Sequence, residues 1–239
     1  MDGVMFMHSR RLERIREVLK DPSAVGQIKR ISSAFSFAAD SEFLTGNIRT
    51  DSKLEPHGCL GDLGWYCIRF ALWVMEWQLP TKVTGRILAQ AQGAKSPAPV
   101  PTEFSGELFF DGGVSAGFYC SFLTENQQWA KISGAKGFLN VRDFVLPFFG
   151  SEAGFEVTNA AYRMSGCDFN MEDHTRRFAV AEYSNSHPNA QETRLFGNFS
   201  DQIRSQKLNE NWPEMAFKSQ QIMEACLESA RNDGRAVPV

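Results

Sequence analysis

Residues 103–122 read EFSGELFFDGGVSAGFYCSF, and this stretch decides the fold class. Two aromatic-rich runs flank Asp111-Gly112-Gly113, the kind of turn text that joins antiparallel strands. Working outward, VTGRILAQAQ (83–92) precedes the pair, and QWAKISG (128–134) and GFLNVRDFVLPFF (137–149) follow it. Gly134-Ala135-Lys136-Gly137 reads as a further tight turn between the last two runs. Consecutive strands at this spacing predict a mostly antiparallel sheet. Upstream, IKRISSAFSF (28–37) alternates and reads as one more long strand.

Helical text stands on both sides of this β-rich centre. RRLERIREVL (10–19) places Leu12, Ile15, Val18 and Leu19 on one stripe. GCLGDLGWYCIRFALWVMEW (58–77) is apolar nearly all round after Gly64, the mark of a buried helix. Two C-terminal helices are expected at about 196–206 and 213–230, the second opened by Pro213 and closed at Asn232-Asp233-Gly234. Residues 39–57 read as a loop, 158–192 as an irregular polar insertion, and Val4–Met7 (VMFM) as a short apolar run, strand-like but compatible with a helix. One sheet with helices packed on one face predicts an α+β fold.

Composition narrows the function classes. The net charge of −3 offers no basic field for nucleic acid. No apolar run approaches the roughly 20 residues that span a bilayer. The first residues carry neither a basic n-region nor a cleavage pattern. The five cysteines, at 59, 67, 120, 167 and 226, form no CxxC pair, so neither zinc nor a disulfide framework is implied. Buried free thiols in a reducing, cytoplasmic setting are the expectation. Missing as well are a GxGxxG turn after a strand, a Walker A loop, HExxH and GxSxG. Gly58, Gly61 and Gly64 recur every third residue, which permits close approach of a flat ligand or of the protein's own backbone.

Five segments in order carry a resemblance. GCLGDLGWYCIRFALW (58–73) resembles the Asp- and Tyr-bearing helix of the glucose–fructose oxidoreductase/inositol dehydrogenase family (Gfo/Idh/MocA). GAKGFLNV (134–141) is similar to that family's G-T-K-G-T-L-x-V hairpin, and VGQIKRISSAFSF (25–37) to its first sheet strand. FLTGNIR (43–49) resembles the loop before the Asp-bearing helix, and PEMAFKSQQIMEACLESARNDGR (213–235) the closing helix. DLGWY and NIR sit nearest the subgroup of D-xylose and dihydrodiol dehydrogenases, including plant Rossmann-fold oxidoreductases.

The resemblance implies a C-terminal, open-faced sheet domain at 8–239, with 1–7 as the last strand of a Rossmann domain otherwise absent from this sequence. GxGxxG and the family's E-K-P motif are both missing. A truncated gene reading, an internal start or a reduced paralogue is the corresponding expectation. The same resemblance implies an NAD- or NADP-linked oxidoreductase acting on a sugar or diol, with little activity expected from these residues alone. It implies a homodimer formed through the sheet face. The alternative is a non-catalytic interaction module derived from the family.

Site residues follow. Asp62 and Tyr66 are four apart, hence on one helix face. By spacing alone Tyr66 reads as a buried helix aromatic and Asp62 as a helix-start carboxylate. By resemblance Tyr66 is the acid/base on the substrate hydroxyl, with Asp62 beside it. Without a neighbouring lysine, the Tyr66 phenol is expected near its ordinary value of about 10. Arg49 and His57, in the preceding loop, and His8 are candidate substrate contacts; the alternative is surface pairing for Arg49 and a surface histidine for His8. Gly58 and Gly61 are weak candidates for cofactor approach. No metal is implied.

Overall fold

In the computed structural model, residues 1–184 and 187–239 are described. The elements are α1 (Arg10–Lys20), β1 (Ile28–Ser36), α2 (Ser41–Gly46), α3 (Trp65–Val74), β2 (Lys82–Ala91), β3 (Val100–Phe109) and β4 (Ser115–Ser121). They continue with β5 (Gln127–Gly134), β6 (Phe138–Val141), β7 (Glu152–Ser165), β8 (Asp168–Ala181), α4 (Gln191–Ser205), α5 (Asn211–Arg231) and β9 (Val237–Pro238). The fold is α+β, and the strand pairs β2–β3, β2–β9, β3–β4, β5–β6, β6–β7 and β7–β8 are all antiparallel. The chain forms two compact units.

The first unit comprises Met1–Asp2, Ser32–Gln128 and Glu210–Val239. Its strands lie in the order β1-β4-β3-β2-β9. Phe104, Leu108, Ala116, Phe118 and Cys120 are buried on one side of β3 and β4. Helix α3 packs on that side: a Cβ at Gly64, just before it, would meet Cys120 and Phe118. Helix α5 packs on the same side, its Cys226 carbonyl lying where a Cβ of Gly85 would project. Gly85 faces Gly106 across the β2–β3 ladder, so both strands lack a side chain there and admit the helix and the Phe118 ring. Helices α3 and α5 therefore share one face. Arg69, fully buried in α3, reaches the Ser219 hydroxyl at 2.9 Å and pairs with Asp2.

The second unit comprises Gly3–Ile31 and Trp129–Asn209. Its strands lie in the order β8-β7-β6-β5-β1. Leu12, Ile15 and Val18 form the buried stripe of α1 as the helical spacing predicted, whereas Leu19, expected with them, is half-buried. Ser9 caps this helix by accepting from the Arg11 amide, and the Glu182 carboxylate accepts from the Ser9 hydroxyl at 2.6 Å. Arg11 itself is buried and meets the Asp143 carboxylate at 2.5 Å. A buried pair of this kind is costly to break from one side, since the remaining charge has no solvent to turn to.

Four sequence expectations change. Residues 4–7 do not form a strand: Met5–His8 is a 3-10 turn, with Phe6 and His8 buried. The 39–57 loop contains α2 and a 3-10 turn at Ile48–Thr50. The 137–149 run is extended only to Val141, after which the chain leaves the sheet and Phe148 and Phe149 are exposed. The 158–192 stretch is not irregular. It carries most of a long hairpin, β7–β8, and α4 begins at Gln191 rather than 196. Most of the hairpin beyond Thr158 is exposed on both sides, so no buried face imposes the apolar alternation that marks a strand in sequence. Residues 185 and 186 of that stretch lie outside the described residues. Among the described residues no helix is long and apolar enough to cross a membrane.

Candidate functional site

The candidate residues of the first unit converge at the entry to α3. Gly58 opens this entry with φ +53°, a left-handed conformation that favours glycine. The chain then makes one π-helical turn, Leu60–Gly64, before the α-helical α3. Such widened turns recur at functional sites, because they swing side chains out of the regular helical register. Asp62 lies in this turn and Tyr66 at the start of α3. Both are intermediate in exposure.

Arg49 closes the group from the preceding 3-10 turn. Its Nε lies 2.6 Å from Asp62 Oδ1. The Tyr66 ring stands edge-on to Phe35 of β1, centroids 5.5 Å apart. Burial pushes the Tyr66 phenol above the ordinary tyrosine range; Asp62 adds to this and Arg49 opposes it. The expectation of an ordinary value is thus corrected upward. Burial likewise raises the Asp62 carboxyl, outweighing the hydrogen bond and charge of Arg49. Arg49 is raised by its bond to Asp62, and its charge is favoured. The two partners respond differently because Asp62 is the more deeply enclosed: its side chain is 20% exposed, against 41% for Arg49.

His57 stands beside this group and is held by two carboxylates. Its Nε2 lies 2.9 Å from Glu224 of α5 and its Nδ1 3.5 Å from Glu55. Glu55 first, then Glu224, raise the imidazole above its ordinary value against the effect of burial. Glu55 also accepts from the His57 amide at 3.2 Å. Its carboxylate occupies the space that a Cβ on Gly61 would need. A Cβ on Gly58 would overlap the Pro101 carbonyl oxygen. The close approach allowed by these two glycines is therefore made by the protein's own atoms, and neither leaves a cradle that fits a dinucleotide.

His8, the remaining candidate, belongs to the second unit. It is 3% exposed, and Asn198 Nδ2 lies 2.8 Å from its Nδ1. Its reading as a surface histidine is corrected, since the 3-10 turn at Met5–His8 carries it inward. Sequence reading missed Glu55 and Glu224. Glu55 is two residues from His57 and could have been weighed with it, whereas Glu224 is brought close only by the packing of α5. Among the described residues no cluster of three or more His, Cys, Asp or Glu side chains is placed to hold a metal ion.

Comparison with known proteins fits this geometry to a family. The GFO/IDH/MocA C-terminal domain family matches residues 12–140, from α1 through β6. The chain belongs to the GFO/IDH/MocA family. Among curated GFO/IDH/MocA-like relatives, trans-1,2-dihydrobenzene-1,2-diol dehydrogenase of Sus scrofa is 33% identical over 132 residues, 55% of this chain and 36% of that enzyme. The Mus musculus enzyme of the same name is 28% identical over 136 residues, 57% of this chain and 37% of its own length. The matched stretch thus spans little more than a third of either relative.

Solved structures agree on the fold. An aldose-aldose oxidoreductase from Caulobacter crescentus, complexed with glycerol, superposes with a TM-score of 0.73 at 15% identity, covering 99% of this chain and 63% of that one. A 3-ketoreductase from Actinomadura kijaniata, in complex with NADP and TDP-benzene, gives 0.72 at 17% identity, covering 95% and 61%. At such identities the likeness establishes the GFO/IDH/MocA C-terminal fold and nothing finer.

Proposed function

We propose that this chain supplies the substrate-facing domain of an NAD(P)-linked oxidoreductase acting on a vicinal diol or a sugar hydroxyl. The observation that carries the proposal is the Arg49–Asp62–Tyr66 group, with its phenol and carboxylate partly exposed at one helix entry. The dihydrodiol dehydrogenase relatives support the substrate class.

Tyr66 is the proton-transferring group. A phenol pushed above its ordinary value is protonated at neutral pH, so its natural role is that of a donor to the oxyanion that develops when a carbonyl is reduced. Asp62 and Arg49 position the substrate: a carboxylate accepts from hydroxyls and a guanidinium donates to them. Hydride transfer is the cofactor's chemistry and needs a nucleotide-binding domain beyond these 239 residues. None of the residues above stands in for it. Self-association through the sheet face belongs to the same reading, because α3 and α5 pack on one and the same side of β2–β4.

Two titrations test the proposal on the 239-residue chain. NADPH and NADH fluorescence titration is expected to give no saturation up to millimolar concentration. Titration with trans-1,2-dihydrobenzene-1,2-diol or D-xylose is expected to show saturable binding that perturbs the Asp62–Tyr66 turn. Micromolar NAD(P)H binding would overturn the division of labour, and diol binding elsewhere would overturn the site.

A further inference from the structure

The second unit contains a cleft of about 370 Å³ that shares no residue with the Tyr66 group. Its base is a row across three neighbouring strands: Asn140 of β6 faces Glu156 of β7, which faces Arg177 of β8. Directly opposed residues project to the same side, at the strand spacing of about 4.8 Å. Gly154, two residues before Glu156, leaves the floor low, and the Arg177 guanidinium lies over the space a Cβ would take.

One wall is the segment between β6 and β7, and its shape is fixed from inside. Asp143 accepts from Arg11 through one oxygen, at 2.5 Å, and from the Phe148 amide through the other, at 2.7 Å. The Gly150 amide donates to the Ser184 hydroxyl at 3.1 Å, and the Ser184 amide donates to the Gly150 carbonyl. This bracing holds Phe148 and Phe149 at the cleft although they are 55% and 92% exposed. Arg142 reaches over the Phe148 ring at 5.8 Å.

The charges in and under this cleft balance. Arg11, Arg142 and Arg177 stand against Asp143, Glu152 and Glu156, with Asp143 held by Arg11 and Glu152 lying 2.8 Å from Arg177. No net field selects an anion or a cation. Among the described residues, neither Asn140 nor Glu156 makes a side-chain hydrogen bond, so the row offers an amide donor, an amide acceptor and a carboxylate acceptor beside a guanidinium. Closely spaced donors and acceptors without net charge match hydroxyls, which are both at once. Open aromatic rings beside them match the apolar C–H faces of a sugar ring. Ligand sites begin at roughly 300 Å³, so this one suits a small ligand.

We propose that this cleft binds a neutral polyhydroxylated ligand of monosaccharide size, with Asn140, Glu156 and Arg177 on its hydroxyls and Phe148 against its ring. The site is independent of the reading of Tyr66. D-Glucose titrated into the 15N-labelled 239-residue protein is expected to shift the amides of residues 140–156 and 177, saturating in the millimolar range. Glu156→Ala and, separately, Phe148→Ala should each weaken this binding about tenfold while the unperturbed amides keep the wild-type spectrum. D-Glucuronate should bind no better than glucose. Three results would overturn the proposal: no saturation by glucose, shifts confined to the Asp62–Tyr66 turn, or clear preference for glucuronate, which would mark an anion site.

Discussion

Arg49 and Asp62 meet at 2.6 Å, yet burial moves the Asp62 carboxyl upward despite the guanidinium. The pair is therefore a poor source of stability. Asp62 raises the Tyr66 phenol and Arg49 lowers it, so the two set the proton affinity of the residue one turn on.

Asp62→Asn removes the like charge beside the phenol. The Tyr66 titration, followed by NMR of 13C-labelled tyrosine, should move down toward the ordinary value of about 10. Stability should change by less than about 1 kcal/mol, because Arg49 is partly exposed and the ionised form of Asp62 is disfavoured by its burial. An upward or absent movement of Tyr66 would show that Asp62 does not act on it.

His57 predicts a pH dependence of stability. Its folded-state value is raised by Glu55 and Glu224. Its contribution is thus fully present below the unfolded value of about 6.5 and is lost as pH rises through the higher folded value. Thermal midpoints of wild type and His57→Gln should lie furthest apart near pH 6 and converge as pH rises above the folded value. A difference that grows with pH would contradict the ion-pair account.

Gly58 and Gly112 separate two effects that share one conformation. Both have positive φ, but a Cβ on Gly58 would overlap Pro101, whereas nothing lies within 4 Å of one on Gly112. Gly112→Ala should cost about 1–2 kcal/mol from backbone strain alone. Gly58→Ala should cost clearly more, read from denaturant midpoints. Equal costs would mean that the turn at Gly58 opens without penalty.

Thiol chemistry checks the packing around α3. Cys59, Cys67, Cys120 and Cys226 are buried, and burial pushes the Cys67 thiol up to about 12. Cys167, at the β7–β8 turn, is exposed, against the expectation that all five are buried. A disulfide reagent at pH 8 should titrate one thiol quickly in the native protein, and Cys167→Ser should abolish that phase. A second fast thiol would place one of the buried four at the surface.

What was legible in the sequence follows what physics writes locally. The hairpin at Asp111–Gly113 and the α1 stripe depend on neighbours a few residues away, and both stand where expected. Asp62 and Tyr66 could be paired because helical spacing is local. The Arg49–Asp62 contact was not legible, since its thirteen-residue separation carries no periodic signal. The Glu224 contact to His57 spans 167 positions and was invisible for the same reason. The β7–β8 hairpin was misread because solvent surrounds its outer half and removes the apolar alternation. The π turn at Leu60–Gly64 was also hidden, as its two glycines fit tight helix–sheet packing equally well.

The most direct measurement of the central claim is ligand-observed NMR titration of trans-1,2-dihydrobenzene-1,2-diol against the 239-residue chain and its Tyr66→Phe variant. The account predicts saturable binding that weakens about tenfold when the phenol hydroxyl is removed, with the fold intact. Binding that is absent, or that is equal in the two proteins, would contradict the assignment of Tyr66 to the substrate.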